Sequence, residues 1–124
     1  MRIVSPTPAR TTTTPNATMT ALAAPSQGGV ELTTWLVRMN AGATGPVHAI
    51  DREQVWTTTL GRLSFAVDGT VHHAGPGQAA VIPAGVLRQV SALDGPAEAV
   101  VCMTAGGTAS TPENPGPIPL PWAL

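Results

Sequence analysis

The chain has 124 residues, of which 43% are hydrophobic and 10% are charged, and its formal net charge is -1. This length accommodates a single domain with one core. The six basic residues are all arginine and are scattered along the chain, which excludes nucleic acid and an anionic membrane surface as partners. A single cysteine excludes an internal disulfide and favours a reducing compartment.

The first residues carry no apolar run of the length that a secretory signal or a membrane span requires, so we expect a cytoplasmic protein. Residues 1–28 are rich in Ser, Thr, Pro and Ala and have few large apolar side chains. Such a composition buries too little surface to offset the entropy of ordering. We therefore predict that this stretch is a flexible arm, or an arm that becomes ordered only against a second subunit.

The middle of the chain predicts short β-strands separated by turns. The segment VELTTWLVRM at 30–39 is rich in β-forming residues and carries apolar side chains on both faces, which indicates a strand covered on both sides. Later strands are predicted at 54–60, 62–67, 78–82, 86–91 and 98–104, with Gly, Pro or Asp-Gly between them. This pattern is typical of a small all-β sandwich or barrel.

The dipeptide Asp68-Gly69 is the strongest turn signal in the chain, because a type I′ hairpin turn favours Asp-Gly. A two-residue turn here pairs Phe65 with His72 and Ser64 with His73. Residues opposed in a hairpin share a face. We therefore expect His72 on the apolar side of the hairpin and His73 on the other side.

The last part of the chain, residues 106–124, is rich in proline, which disfavours a helix or a central strand. We predict an extended tail that Trp122 anchors on the barrel or on a partner subunit. The expected organisation is thus an arm at 1–28, a barrel at 29–105 and a tail at 106–124. The covered first strand and the apolar-poor arm favour a homodimer.

Several turn and strand residues between 45 and 85 resemble the two signature motifs of the cupin superfamily, in its small single-domain form of actinobacterial type. The matching positions are Gly45, His48, Asp51-Arg52-Glu53-Gln54-Val55-Trp56, Leu60-Gly61, Gly75-Pro76-Gly77 and Ile82-Pro83-Ala84-Gly85. The resemblance implies an all-β fold, the cupin double-stranded β-helix or jelly-roll barrel, as a single domain. It also implies a site in the mouth and core of that barrel.

The chain departs from the metal-binding cupins at the positions that supply their ligands. Carried over from the resemblance, those positions fall on His48, Ile50, Gln54 and Arg88. Only the histidine is a good ligand, since isoleucine has no donor atom, glutamine is a weak neutral ligand and arginine is a permanent cation. We therefore expect no metal and no other cofactor.

Strand alternation predicts further residues in the interior of the barrel. If Gln54 points inward, so do the next alternate residues of its strand. The resulting concavity is mostly apolar with a few polar groups, as small-molecule sites usually are. Its predicted catalytic residues are His48, Arg88 and Gln54, and its predicted substrate-binding residues are Trp56, Thr58, Ile50, Phe65 and His72.

Two of these residues leave alternatives open. A buried Arg88 needs an anionic ligand or an internal carboxylate, unless its side chain faces solvent. His48 is either a general acid or base, a hydrogen-bonded relic of a lost metal site, or a residual metal ligand.

Three classes of function follow. We favour a metal-independent enzyme of isomerase, dehydratase or cyclase type, acting on a small, largely apolar, anionic or enolisable metabolite. In it His48 transfers a proton while Arg88 and Gln54 stabilise negative charge. The resemblance implies tailoring of a polyketide or another natural product as one such role. The alternatives are a non-catalytic small-molecule-binding barrel and a metal-dependent oxygenase or lyase with replaced ligands, using His48, His72 and Gln54.

Overall fold

The regular structure of the chain is almost entirely β. The computed structural model describes residues 1–29 and 31–124. Its strands are β1 (Thr11–Thr13), β2 (Thr18–Ala21), β3 (Leu32–Met39), β4 (Ala43–Thr44), β5 (Ala49–Ile50), β6 (Gln54–Leu60), β7 (Leu63–Val67), β8 (Thr70–Ala74), β9 (Ala79–Ile82), β10 (Gln89–Ala92), β11 (Ala97–Thr104) and β12 (Ala109–Ser110). Three 3-10 turns lie at Pro8–Arg10, Pro25–Gln27 and Pro121–Ala123. None of the helices in the described part of the chain is long and apolar enough to cross a membrane.

Two antiparallel sheets enclose the core. One has six strands in the order β1-β2-β3-β11-β6-β9, and the other has four in the order β4-β10-β7-β8. A small third sheet pairs β12 with β5. The core contains Trp35, Val37 and Met39 from β3 and alternate residues from β11, because a strand directs every second side chain inward. This arrangement confirms the predicted all-β jelly-roll barrel.

The hairpin register is confirmed. In the β7–β8 pair, Phe65 lies opposite His72 and Ser64 lies opposite His73. Both turn residues, Asp68 and Gly69, have positive φ angles, of 50° and 74°, as a type I′ turn requires. The turn chemistry was therefore sufficient to align the two strands.

The N-terminal stretch differs from the prediction, because residues 11–21 are ordered against their own chain. Strand β2 pairs with β3, placing Met19 opposite Val37, and β1 pairs with β2. Met19 and Ala21 are buried, and threonine favours the extended conformation of the rest. Burial of alternate side chains on an existing sheet thus orders a segment that would bury little on its own.

The first strand of the predicted barrel also differs in detail. Val30, with which the predicted strand began, lies outside the described residues, and β3 runs from Leu32. The inner face of β3 is buried, whereas Leu32 is 51% exposed and Leu36 is only half-buried. Within the described chain, β3 is therefore covered on one face rather than on both.

The C-terminal tail lies along the barrel. Leu120 and Ala123 are buried, and Thr33 Oγ1 donates a hydrogen bond of 3.0 Å to the carbonyl of Ala123. Trp122 is half-buried beside them. The tail is not wholly extended, since Pro121–Ala123 forms one 3-10 turn, for which proline at the first position supplies a suitable φ.

Candidate functional site

An apolar cavity of about 340 Å³ opens on the inner side of the six-stranded sheet. Its walls come from β2, β3 and β6, from the chain around His48, and from the tail at 118–122. The three tryptophans of the chain, Trp35, Trp56 and Trp122, all line it. The cavity is thus formed jointly by the barrel, the N-terminal strands and the tail, and its volume is that of a small-molecule site.

His48 is the titratable group on this wall. Its backbone forms two hydrogen bonds with Arg88, which join the two segments as an isolated antiparallel bridge. Its Nδ1 lies 2.9 Å from the carbonyl oxygen of Pro46. Because a carbonyl can only accept, Nδ1 carries the hydrogen, and the lone pair of the neutral ring is on Nε2.

The environment keeps His48 neutral. Desolvation by burial is the main cause that lowers the pKa of His48 below its usual 6.5, and the positive charge of Arg88 lowers it further. The hydrogen bond to Pro46 acts in the opposite direction and is outweighed. At neutral pH the side chain is therefore a free base rather than a cation.

Gln54 lies at the base of the cavity and is 2% exposed. Its Oε1 accepts hydrogen bonds of 3.1 Å from both Trp56 Nε1 and Arg88 Nη1, while its Nε2 donates to Met103 Sδ at 3.6 Å. A flipped amide would place its NH₂ against two donors. The orientation of the amide is therefore determined by its neighbours.

Arg88 is buried, which contradicts the solvent-facing alternative, and among the described residues it is not paired with an internal carboxylate. Its guanidinium donates to neutral oxygens only: to Gln54 Oε1, to the carbonyl of Val86 at 2.9 Å and to that of Pro83 at 3.4 Å. In the described residues the ion pairs are formed by other arginines, with Glu98, Asp51 and Asp94. Burial lowers the pKa of Arg88 to about 10, so it remains charged at neutral pH.

The guanidinium of Arg88 does not line the cavity, whereas Gln54, which it contacts, does. Arg88 is therefore neither exposed to solvent nor paired with a carboxylate, and a ligand in the cavity meets its charge through the Gln54 amide. Gln54 lines the cavity in contact with the Arg88 guanidinium, so the predicted contact of Arg88 itself with an anionic ligand stays a prediction. Carbonyl and amide oxygens replace the carboxylate because a charged donor forms strong hydrogen bonds to neutral acceptors.

The predicted substrate-binding residues divide into two groups. Ile50 and Trp56 are buried and line the cavity. Thr58 is fully buried but lies outside it, and its Oγ1 donates to the carbonyl of Ala74 at 3.3 Å. Phe65 lies behind Trp56 in an edge-to-face pair with ring centroids 5.8 Å apart, and so supports the wall without forming it.

His72 is not an interior residue. It pairs with Phe65 across the hairpin, as predicted, but its side chain is exposed beside a second recess between β8 and β9. The reason is that β8 is the edge strand of its sheet, so its side chains lack a neighbouring strand on one side. The structure therefore does not bring His72 and His48 together on one cavity.

Sequence reasoning missed part of the wall. Met19, Trp35 and Leu120 line the cavity and were not predicted as site residues. For Trp35 a signal was available, since it shares the buried face of β3 with Val37 and Met39. For Met19 the signal was weaker: a single large apolar residue in a threonine-rich stretch.

Comparison with known proteins places this geometry in a family. The family model "Cupin domain" matches residues 35–105, more than half of the chain. The chain belongs to the cupin family. The family match covers the barrel from β3 to the end of β11, the part in which the motif residues between Gly45 and Gly85 lie.

Solved structures of similar fold include enzymes. The polyketide cyclase RemF from Streptomyces resistomycificus has a TM-score of 0.69 and 17% identity, covering 82% of this chain and 73% of that one. KdgF from Halomonas sp. has a TM-score of 0.66 and 19% identity, covering 75% and 82%. A cupin-superfamily sugar phosphate isomerase from Silicibacter pomeroyi has a TM-score of 0.61 and 28% identity, covering 75% and 64%.

One curated relative is matched over a shorter range. Homogentisate 1,2-dioxygenase of Rhodopseudomonas palustris (strain BisB18) is 38% identical over 68 residues, which are 55% of this chain but 15% of that protein. The chain therefore spans about a seventh of the length of this relative. The match extends to a part of the dioxygenase only.

The residues of this cupin do not fit a divalent metal. The described residues contain no group of three or more His, Cys, Asp or Glu side chains that could hold one. At the positions carried over from the motifs, Ile50 offers hydrocarbon, and the Gln54 oxygen already accepts from a cation. A metal bound by His48 would lie near the Arg88 charge, which lowers the pKa of His48 and would oppose a second positive charge.

Proposed function

We propose that this cupin is a metal-independent enzyme that transfers a proton on a small, largely apolar, enolisable metabolite, in an isomerisation, dehydration or cyclisation. The observation that carries the proposal is the lone pair of His48 Nε2 on the wall of an apolar cavity. A neutral imidazole held at fixed tautomer is a suitable general base near neutral pH.

The chemistry needs no external reactant. His48 Nε2 removes a proton from a carbon next to a carbonyl, the C–H bonding pair moves into the new C=C bond, and the carbonyl oxygen becomes an enolate oxygen. In an isomerisation, the protonated ring then returns its proton to a different atom of the substrate. In a dehydration, the enolate electron pair breaks the C–O bond of a hydroxyl group on the β-carbon, and the hydroxyl takes the ring proton and leaves as water. In a cyclisation, the enolate carbon bonds to a second carbonyl carbon, and the oxygen of that carbonyl takes the ring proton. Atoms and electrons balance in each case, and the cavity holds the reacting chain in place.

Gln54 and Arg88 support this step in different ways. The Nε2 of Gln54 has a second hydrogen beyond the one donated to Met103, and we assign it to the developing enolate oxygen. Arg88 acts through Gln54, whose amide it orients and polarises, and is a positioning residue. Among the described residues, no cationic side chain lines the cavity. Of the two substrate classes that we predicted, we therefore propose the enolisable metabolite rather than the anionic one.

The comparisons support the reaction class in a general way. One neighbour is described as a polyketide cyclase and another as a sugar phosphate isomerase, and both activities match the proposed class. At 17% and 28% identity the likeness does not extend to substrates, so natural-product tailoring is part of the proposal. The dioxygenase match does not favour an oxygenase, since the donor set around His48 is unsuited to a metal.

The test uses proton exchange on a simple enolisable ketone that fits an apolar cavity. Purified protein is incubated with 1-indanone in D₂O, and deuterium incorporation next to the carbonyl is followed by NMR. We expect the wild type to accelerate exchange over buffer, and His48→Ala to reduce that acceleration by about 10² or more. The matched control is His73→Ala, whose imidazole lies on the outer side of the hairpin and bonds to Ser64.

Metal content is measured in parallel. Protein purified without a His tag is incubated with iron, manganese, nickel and zinc in turn, then assayed by elemental mass spectrometry. We expect sub-stoichiometric metal and exchange that is insensitive to chelators. One tightly held metal per chain, with exchange lost on chelation, would overturn metal independence. Absence of exchange in the wild type would instead favour the non-catalytic binding barrel.

A further inference from the structure

The aromatic side chains of this protein are concentrated in one place. The chain has three tryptophans, one phenylalanine and no tyrosine. All three indoles line the cavity: two come from β3 and β6, the strands on either side of β11, and one comes from the tail. Since indole faces pack well against other flat π-systems, this wall favours a flat aromatic ligand over a branched aliphatic one.

The charge on the wall is low. His48 is the only titratable side chain among the described residues that line the cavity, and burial favours its neutral form. The positive charge of Arg88 is already engaged by three neutral oxygens behind Gln54. An anionic ligand would therefore lose its hydration without gaining direct contact with a cation, which is costly.

His48 contributes a hydrogen-bond acceptor to the cavity wall. His48 Nδ1–H is used by Pro46, which leaves the Nε2 lone pair for a ligand. A ligand that meets this atom must supply a hydrogen. A ligand with an acceptor alone would leave the lone pair buried and without a partner, at the cost of a lost hydrogen bond.

We infer that the cavity takes an uncharged, flat, aromatic ligand that donates one hydroxyl hydrogen, phenolic or enolic, to His48 Nε2. This names the substrate class of the proposed function and rests on it: the keto form of the substrate gives its C–H proton to His48 Nε2, and the enol form presents its O–H to the same atom. The cavity selects by charge and by donor: it rejects a carboxylate of the same shape, and it rejects an ether of the same ring.

Three probes that share the naphthalene ring separate the effect of ligand charge from the effect of the hydroxyl donor. They are 2-naphthol, which is neutral and donates; 2-methoxynaphthalene, which is neutral and cannot donate; and 2-naphthoate, which is anionic. Binding is followed by two-dimensional ¹H–¹⁵N NMR of the three indole N–H groups, all of which lie at the cavity. At pH 7.5 we expect 2-naphthol to bind about tenfold or more tighter than either other probe, which is the value of one hydrogen bond.

Two variants test which residues cause the preference for 2-naphthol. In His48→Ala, 2-naphthol should lose its advantage over 2-methoxynaphthalene. In Gln54→Ala, removal of the amide should expose the Arg88 guanidinium to the cavity, and 2-naphthoate should bind more tightly than it does to the wild type. Gln78→Ala is the matched control, since Gln78 is an exposed turn residue whose Oε1 accepts from the Gly75 N–H.

The result that overturns the inference is 2-naphthoate binding to the wild type as tightly as 2-naphthol, or 2-methoxynaphthalene doing so. A spectrum in which no probe shifts an indole resonance would also overturn it. These outcomes are independent of the exchange reaction. Probe selectivity without exchange would contradict the proposed enzyme alone, and exchange with the opposite selectivity would contradict the ligand class alone. The wild-type comparison stands even if a variant does not fold.

Discussion

At the scale of single residues, His48 depends on two neighbours that act on different properties. The carbonyl of Pro46 selects the tautomer, and the nearby charge of Arg88, together with burial, lowers the pKa. In an unfolded chain both influences disappear and the ordinary value of 6.5 returns. The state of this one side chain is thus coupled to folding.

This coupling predicts a pH dependence of stability. Below pH 6.5 the unfolded chain binds the His48 proton before the folded chain does, because the folded pKa is lower. The neutral His48 therefore makes its full contribution to the free energy of unfolding above pH 6.5. That free energy falls as the pH drops below 6.5. We expect the urea midpoint to decrease more between pH 7.5 and pH 5.0 in the wild type than in His48→Gln. Tryptophan fluorescence during urea titration measures the midpoint of each protein at each pH.

The control for this prediction is His73→Gln, which removes an exposed imidazole from the outer side of the hairpin. This variant should show the same decrease in urea midpoint between pH 7.5 and pH 5.0 as the wild type. The coupling is refuted if the midpoint of His48→Gln falls by as much as that of the wild type, because carboxylates elsewhere would then account for the whole effect.

At the scale of elements, the N-terminal strands show how a segment of weak hydrophobicity becomes ordered. β2 uses the edge of β3 as a template, and its backbone hydrogen bonds replace those that the β3 edge would otherwise make to water. Met19, which β2 carries inward, is 6% exposed and lines the cavity. The strands therefore belong to the barrel and to its site.

Met19→Ala should consequently destabilise the protein by about 2–4 kcal/mol, the usual cost of truncating a buried methionine. The measurement is urea unfolding at neutral pH. Thr13→Ala is the control, because Thr13 is exposed at the end of β1 and its truncation removes no packing. If both variants match the wild type, residues 11–21 behave as a free arm, and the pairing of β2 with β3 does not contribute to stability.

At the scale of the whole molecule, the two faces of the six-stranded sheet are unequal. The inner face packs on the core, while the outer face carries Leu36 and Val100 as a cross-strand pair, with Val55 and Cys102 beside them. These four side chains are half-buried, and Leu32 at the end of the row is 51% exposed. An apolar sheet face of this kind favours cover by another subunit.

We expect a homodimer formed through this outer face. Sedimentation equilibrium should give twice the chain mass of 12.6 kDa. Leu36→Lys should shift the equilibrium toward monomer, because a buried lysine would lack a partner. Val71→Lys, at an exposed apolar position on β8, is the control and should leave the mass unchanged. A monomeric wild type, or a Leu36→Lys variant that stays dimeric, contradicts this expectation.

Sequence alone was sufficient for the features that depend on neighbours along the chain. Strand alternation placed Gln54 and Trp56 on one inward face, and the Asp68-Gly69 turn aligned β7 with β8. Motif positions indicated a cupin barrel with altered ligands. Each of these rests on the period of two in a strand or on the φ angles of a turn, which are properties of a few consecutive residues.

Tertiary structure decided the features that depend on what lies across the core. It gave Arg88 neutral oxygens from Gln54 and two carbonyls instead of a carboxylate, and it left His72 exposed because β8 is an edge strand. It also gathered Trp35, Trp56 and Trp122 from distant segments around one cavity. The physical reason is that burial and hydrogen-bond partners are set by long-range packing, in which strand order determines which faces meet, whereas local chain patterns determine only which side chains share a face.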